Sequence, residues 1–91
     1  MSAFNGVETQ IIAFVNTGDK EATFEGGCQG FYLSATADVY VDFDQPTDTG
    51  SFLIKANIAY PKFDFRGANV QKVHAMGVSG SGNLHIIGVR N

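Results

Sequence analysis

The sequence predicts an all-β fold: a single β-sandwich or jelly-roll-like barrel of about seven or eight short antiparallel strands. Three observations carry this. Apolar and polar residues alternate with a period of two over most of the chain. Clusters of Gly, Pro, Asn, Asp and Ser punctuate the alternation roughly every ten residues, the spacing of turns in sandwiches and barrels. Helical periodicity is nearly absent, and its only candidate, residues 34–37, is too short to nucleate a helix.

Taken in order, residues 10–15 (Gln-Ile-Ile-Ala-Phe-Val) read as a strand, residues 16–20 turn the chain, and residues 21–25 form the next strand. Gly26-Gly27 interrupts it before Phe31, Tyr32 and Leu33. The clearest alternation runs over residues 37–44. There Val39, Val41 and Phe43 mark a buried face, while Asp38, Tyr40, Asp42 and Asp44 mark a wet one. Pro46 and Gly50 suit the loop that follows. Alternation resumes over residues 52–58, with Phe52, Ile54, Ala56 and Ile58 on one side, and the pair is expected to form a hairpin. Residues 60–66 are extended but carry Pro61, and so predict an edge strand or a long loop. Residues 70–78 and 83–89 flank Ser79-Gly80-Ser81-Gly82 and predict a second hairpin. No linker divides the chain, so residues 1–91 are expected to be one domain, with residues 1–8 a candidate N-terminal arm.

Composition excludes several function classes. Hydrophobic residues make up 44% and charged residues 16% of the chain, which argues against disorder and against a coiled coil. Six Lys and Arg against nine Asp and Glu give a net charge of −3. Lys20, Lys55, Lys62, Arg66, Lys72 and Arg90 are scattered, so the clustered basic surface that grips phosphates is missing and no nucleic-acid partner is expected. Cys28 stands alone, which rules out a disulfide within the chain and a cysteine-based zinc site. The first residues lack the basic and apolar regions of a signal peptide, and no apolar run is long enough to cross a membrane as a helix. A chain made in a cytoplasm, with no membrane partner, is the expectation.

Candidate chemistry is sparse. Asp42, Asp44 and Asp48 with Gly50 are the best cation candidates, because calcium takes several oxygens from one loop. Position 53 is Leu, however, so no closing Glu is present, and a solvated strand face is the better explanation of these acids; no metal or other cofactor is expected. His74 and His85 would lie opposite each other if the last two strands formed a hairpin, yet two ligands are too few for zinc. Gly77-Val78-Ser79-Gly80-Ser81 lacks both the final Gly and the following helix of a nucleophile elbow. No catalytic constellation emerges, and no enzyme is predicted. The chain has eight Phe, three Tyr and no Trp. Phe4, Tyr40, Tyr60, Phe63 and Phe65 are the interface candidates, since a small monomer has difficulty burying them all.

The stretch from residue 38 onward joins Val-Tyr-Val-Asp-Phe-Asp to Ser-Phe-Leu-Ile-Lys-Ala-Asn-Ile. It ends in Val-Ser-Gly-Ser-Gly-Asn-Leu-His-Ile-Ile-Gly-Val. In this it resembles the small all-β structural proteins of tailed bacteriophage virions: decoration (cement), head-completion and fibre-attachment proteins. The resemblance implies self-assembly, with a trimer favoured, attachment to other virion proteins, and a virion location after assembly in the host cytoplasm. Strand pairing along the N-terminal strand and the segment 60–66 would contribute. The alternative expectation is a carbohydrate-binding module using Tyr40, Tyr60 and the Asp42/Asp44 face, with calcium as an aid.

Overall fold

A computed structural model describes residues 6–90; Phe4 lies outside them. Eight strands run in chain order: β1 (Val7–Phe14), β2 (Lys20–Cys28), β3 (Gly30–Ala35), β4 (Val39–Phe43), β5 (Phe52–Ile54), β6 (Phe63–Asp64), β7 (Val70–Gly77) and β8 (Gly82–Val89). They form two four-stranded antiparallel sheets, β1-β8-β3-β6 and β2-β7-β4-β5. This is a β-sandwich with no helix among the described residues, as the alternation predicts. Val7 and Glu8, placed by the sequence in an N-terminal arm, belong to β1 instead.

The strand order is that of one long hairpin wound into a roll. β1 pairs β8, β2 pairs β7, β3 pairs β6 and β4 pairs β5, while β3–β8 and β4–β7 ladders join the turns of the roll. This is the eight-stranded jelly-roll arrangement. Successive strands therefore change sheet at every connection except β4–β5. The predicted hairpin of residues 37–44 and 52–58 is present, but β5 stops at Ile54. Beyond it the backbone leaves the ladder: Lys55 N–H donates to the Tyr60 hydroxyl, Ala56 N–H to Asp38 Oδ1, and Asn57 N–H to the Ala35 carbonyl. Asn57 itself has φ of 59°.

The predicted C-terminal hairpin does not form. Each side of β7 is taken by β2 and β4, and each side of β8 by β1 and β3, so residues 78–81 arch from one sheet to the other. The arch is tight at Gly77. Its N–H donates to the Val15 carbonyl at 2.8 Å, and a Cβ there would lie 1.9 Å from the Gly80 carbonyl oxygen. In β2, Gly26 and Gly27 both have φ of 79°. The register with β7 shifts between Thr23 and Cys28, so the doublet makes a bulge where the sequence suggested an end.

The inner faces interlock Ile12, Phe14, Phe24, Phe31, Leu33, Val39, Val41, Ile54, Val73, Leu84 and Ile86, all buried, together with Cys28. Burial pushes the Cys28 thiol pKa up, which makes it a poor nucleophile. Gly88 is required here, because a Cβ would meet Cys28 Sγ at 2.7 Å and the Phe24 ring at 2.9 Å. Where β5 and β6 are short, aromatic rings fill the end of the sandwich. Phe43 contacts Phe31, Phe52, Phe63 and Phe65 with centroids 4.7–6.0 Å apart, and Phe31 continues the chain of rings to Phe24 at 5.3 Å. Such pairs add about 0.5–1.5 kcal/mol each beyond the area they bury.

Truncating Phe31 removes the ring that links the inner core to this cluster. Phe31→Ala is expected to lose about 3–5 kcal/mol of stability, and Gly88→Ala about 1–3 kcal/mol through overpacking. Urea titration of each variant checks both values.

Candidate functional site

The two outer faces of the sandwich differ in chemistry. On the face of β2-β7-β4, His74 stands beside Glu21 on β2 and Asp42 on β4. It is nonetheless 5% exposed, because Asp19 of the β1–β2 loop sits against it. Asp19 Oδ2 lies 2.6 Å from His74 Nδ1, and Asp19 Oδ1 accepts from both Thr47 N–H and Thr47 Oγ. Burial alone would raise the Asp19 pKa. The two bonds from Thr47, together with His74, outweigh it and lower the pKa below the ordinary carboxylate value. On the other side, His74 Nε2 is 4.0 Å from Glu21 Oε1, and Glu21 pairs with Lys72 at 3.0 Å. An Asp–His pair orients a general base when the second nitrogen faces a reacting group. Here that nitrogen faces a carboxylate under cover, so the pair ties the 15–19 and 44–51 loops to β7.

The sequence-predicted acids are also spoken for. Asp42 accepts from Ser51 Oγ, Gln45 Nε2 and Phe43 N–H. Burial opposes these bonds, but they prevail with His74 and lower its pKa. Asp44, at φ 58°, accepts from the N–H groups of Gln71 and Lys72. Asp48 accepts from Gly50 N–H. Each carboxylate is turned to its own loop or strand end, and among the described residues no three His, Cys, Asp or Glu side chains cluster as a metal site. Tyr40 lies between Leu53 and Met76 on this face.

The face of β1-β8-β3 is built differently. Its outward residues are Val7, Thr9, Ile11 and Ala13 on β1, Asn83, His85, Ile87 and Val89 on β8, and Tyr32 and Ser34 on β3. None is Asp, Glu, Lys or Arg. Val7, Ile11, Tyr32 and Ile87 are large and exposed, and Ile11 keeps 57% of its surface. The register sets Ile11 beside His85 and His85 beside Ser34, and likewise Thr9 beside Ile87 and Ile87 beside Tyr32. Against this floor the segment after β5 raises a wall, Asn57, Ile58 and Tyr60, and encloses a groove of about 510 Å³.

His85 therefore belongs to this groove and His74 to the opposite face; the two are not cross-strand neighbours, because β7 and β8 lie in different sheets. Of the interface candidates, Tyr60 lines the groove. Phe63 and Phe65 are half-buried in the chain's own aromatic cluster. Val7, Ile11, Ile58 and Ile87 were not singled out by the sequence reading. For Ile11 and Ile87 a signal was present in the doublets Ile11-Ile12 and Ile86-Ile87, since in a strand one member of such a pair must point away from the core; Val7 and Ile58 carry no such mark.

No protein-family model, curated protein or solved structure matches the chain. No helix of the described residues is long and apolar enough to cross a membrane.

The Asp19 network makes an acid-sensitivity prediction. A carboxylate whose folded pKa is lowered stabilises above its unfolded pKa of about 3.9, and that stabilisation is lost as pH falls through the folded value. Asp19→Asn is expected to cost about 1–3 kcal/mol at pH 7. The gap from the parent protein should narrow below about pH 4. Urea unfolding of both chains across pH 2.5–7 reads the difference.

Proposed function

We propose that the protein is a structural assembly protein, which associates with further copies of itself and docks on a larger particle of the bacteriophage-virion kind. The observation that supports it is the uncharged apolar face of β1-β8-β3. Exposed apolar patches of several hundred Å² on a small soluble domain mark contact surfaces. On a chain of net charge −3, a face whose exposed β1, β8 and β3 side chains carry no charge, with Lys62 reaching it only over Gly30 at the β6 side, is also one where a second protein meets little repulsion and desolvation cost. Jelly rolls serve in both capsids and lectins, so the architecture alone does not choose between them.

The groove favours a second reading, a carbohydrate-binding module. Tyr32 and Tyr60 offer rings, and Ser34, Asn57 and His85 offer polar groups along one wall and floor. Aromatic stacking combined with a few polar groups suits a sugar. This site is on the opposite face from Tyr40 and Asp42.

Light scattering over a concentration series tests the first reading. The mean mass should rise with concentration, and Ile87→Lys, which sets a charge in the middle of the face, should weaken association about tenfold or more. A chain that stays monomeric throughout counts against it. Glycan-array binding that disappears in Tyr32→Ala would instead support the second reading.

A further inference from the structure

The ladders around β8 show which backbone groups of β1 are free. In an antiparallel pair, bonded residues recur at every second position. Arg90 N–H donates to the Gly6 carbonyl, extending the β1–β8 register, and Thr36 N–H donates to the Asn83 carbonyl, extending the β3–β8 register. Even-numbered residues of β8 therefore bond β1, and odd-numbered ones bond β3. On β1 the bonded residues are Gly6, Glu8, Gln10, Ile12 and Phe14. The N–H and C=O groups of Val7, Thr9, Ile11 and Ala13 point outward from the sheet.

β1 is an edge strand of eight residues, and of the usual guards it has only an inward-facing charge, Glu8, which Arg90 neutralises at 2.9 Å. It contains no Pro, no Lys and no bulge, and its outward side chains are uncharged. The other edges are blunted: β6 has two residues and β5 three, while β2 is bulged and carries Lys20, Glu21 and Glu25.

We propose that two copies of this chain pair antiparallel through β1 about a two-fold axis, joining β1-β8-β3-β6 of each into one eight-stranded sheet. A second copy is the occupant because β1 is the only long unguarded edge among the described strands. A ring of three through strand pairing would require a second unguarded edge on each copy, and the only other long edge among the described strands, β2, is bulged and charged; pairing through β1 is thus two-fold, where the resemblance implies a trimer. Symmetry also fits the register. The free groups lie on odd-numbered residues in both copies, so the axis must pass through a residue, and the longest overlaps place it at Gln10 or Ile11. Glu8 then faces the partner's Ile12 or the partner's Phe14 and never its own counterpart. Thr9 and Ile11 meet uncharged residues in either register, and about six to eight backbone hydrogen bonds form. The apolar faces of both copies become continuous. This deepens the assembly reading and rests on it.

Amide hydrogen exchange of the parent chain, dilute and concentrated, tests the pairing. The amides of Thr9 and Ile11 should exchange quickly when dilute and on the order of tenfold or more slowly when concentrated. Those of Gln10 and Ile12 should be protected throughout. Thr9→Pro removes an N–H that β8 does not use, and it should leave a folded monomer with its apolar face intact. An oligomer in which Thr9 and Ile11 remain fast overturns the β1 pairing and leaves the assembly reading standing. A chain that never associates overturns both.

Discussion

The pairing of the first strand with the last is the constraint on which the rest of the structure depends. β1 and β8 pair along eight residues, and β8 in turn carries β3, so one sheet has no centre until the end of the chain arrives. β7 plays the same part in the other sheet. Contacts this distant in sequence must close large loops before they return any stabilisation, which makes such a topology slow to form. Its ends are clamped accordingly. Arg90 bonds Gly6 through its backbone and Glu8 through its guanidinium at 2.9 Å, and it reaches the Glu25 carbonyl on β2. At the same end of the strands but on the other edge of the sandwich, where β5 and β6 give the ladders little length, the rings around Phe43 do the holding.

The same winding explains why the outer faces diverge. The face of β2-β7-β4 lies beside the 15–19 and 44–51 loops, whose N–H and hydroxyl groups must find acceptors. Asp19, Asp42 and Asp48 are placed to supply them, while Asp44 accepts from the first amides of β7, so the acids serve backbone geometry. Asp38 does likewise for the segment after β5, and the bonds from Ala56 N–H and Lys55 lower its pKa. No such loop overlies β1-β8-β3 except the wall of residues 57–60. That face has no backbone groups asking for carboxylates, and it carries none.

The period of two located the strands, though not all of their ends, because a half-buried strand leaves its mark residue by residue. Val39, Val41 and Phe43 face inward as their spacing requires. What the period cannot convey is which sheet a strand joins. Ser79-Gly80-Ser81-Gly82 suits a two-stranded turn and an inter-sheet arch equally well, and only the occupied sides of β7 and β8 decide between them. The placement of His74 and His85 went astray with it. Phe63 and Phe65 looked surplus because their partners, Phe31 and Phe43, are remote in sequence. The apolar outer face was legible only in the two isoleucine doublets, since β1 and β8 had first to be set side by side before Ile11, Ile87 and Tyr32 became one surface.

The backbone bond between Arg90 and Gly6 brings the two extremities of the described chain together at one end of the sandwich. The β4–β5 loop is the outermost bend of the wound hairpin and the one connection that does not change sheet. A polypeptide in which a short linker runs from Arg90 into Gly6, with new termini opened between residues 46 and 50, would keep every ladder of both sheets. In that rearranged chain β8 and β1 become neighbours in sequence as well as in space. The slowest loop closure of the present topology would become an ordinary hairpin, and the route to the fold would change while the fold itself did not.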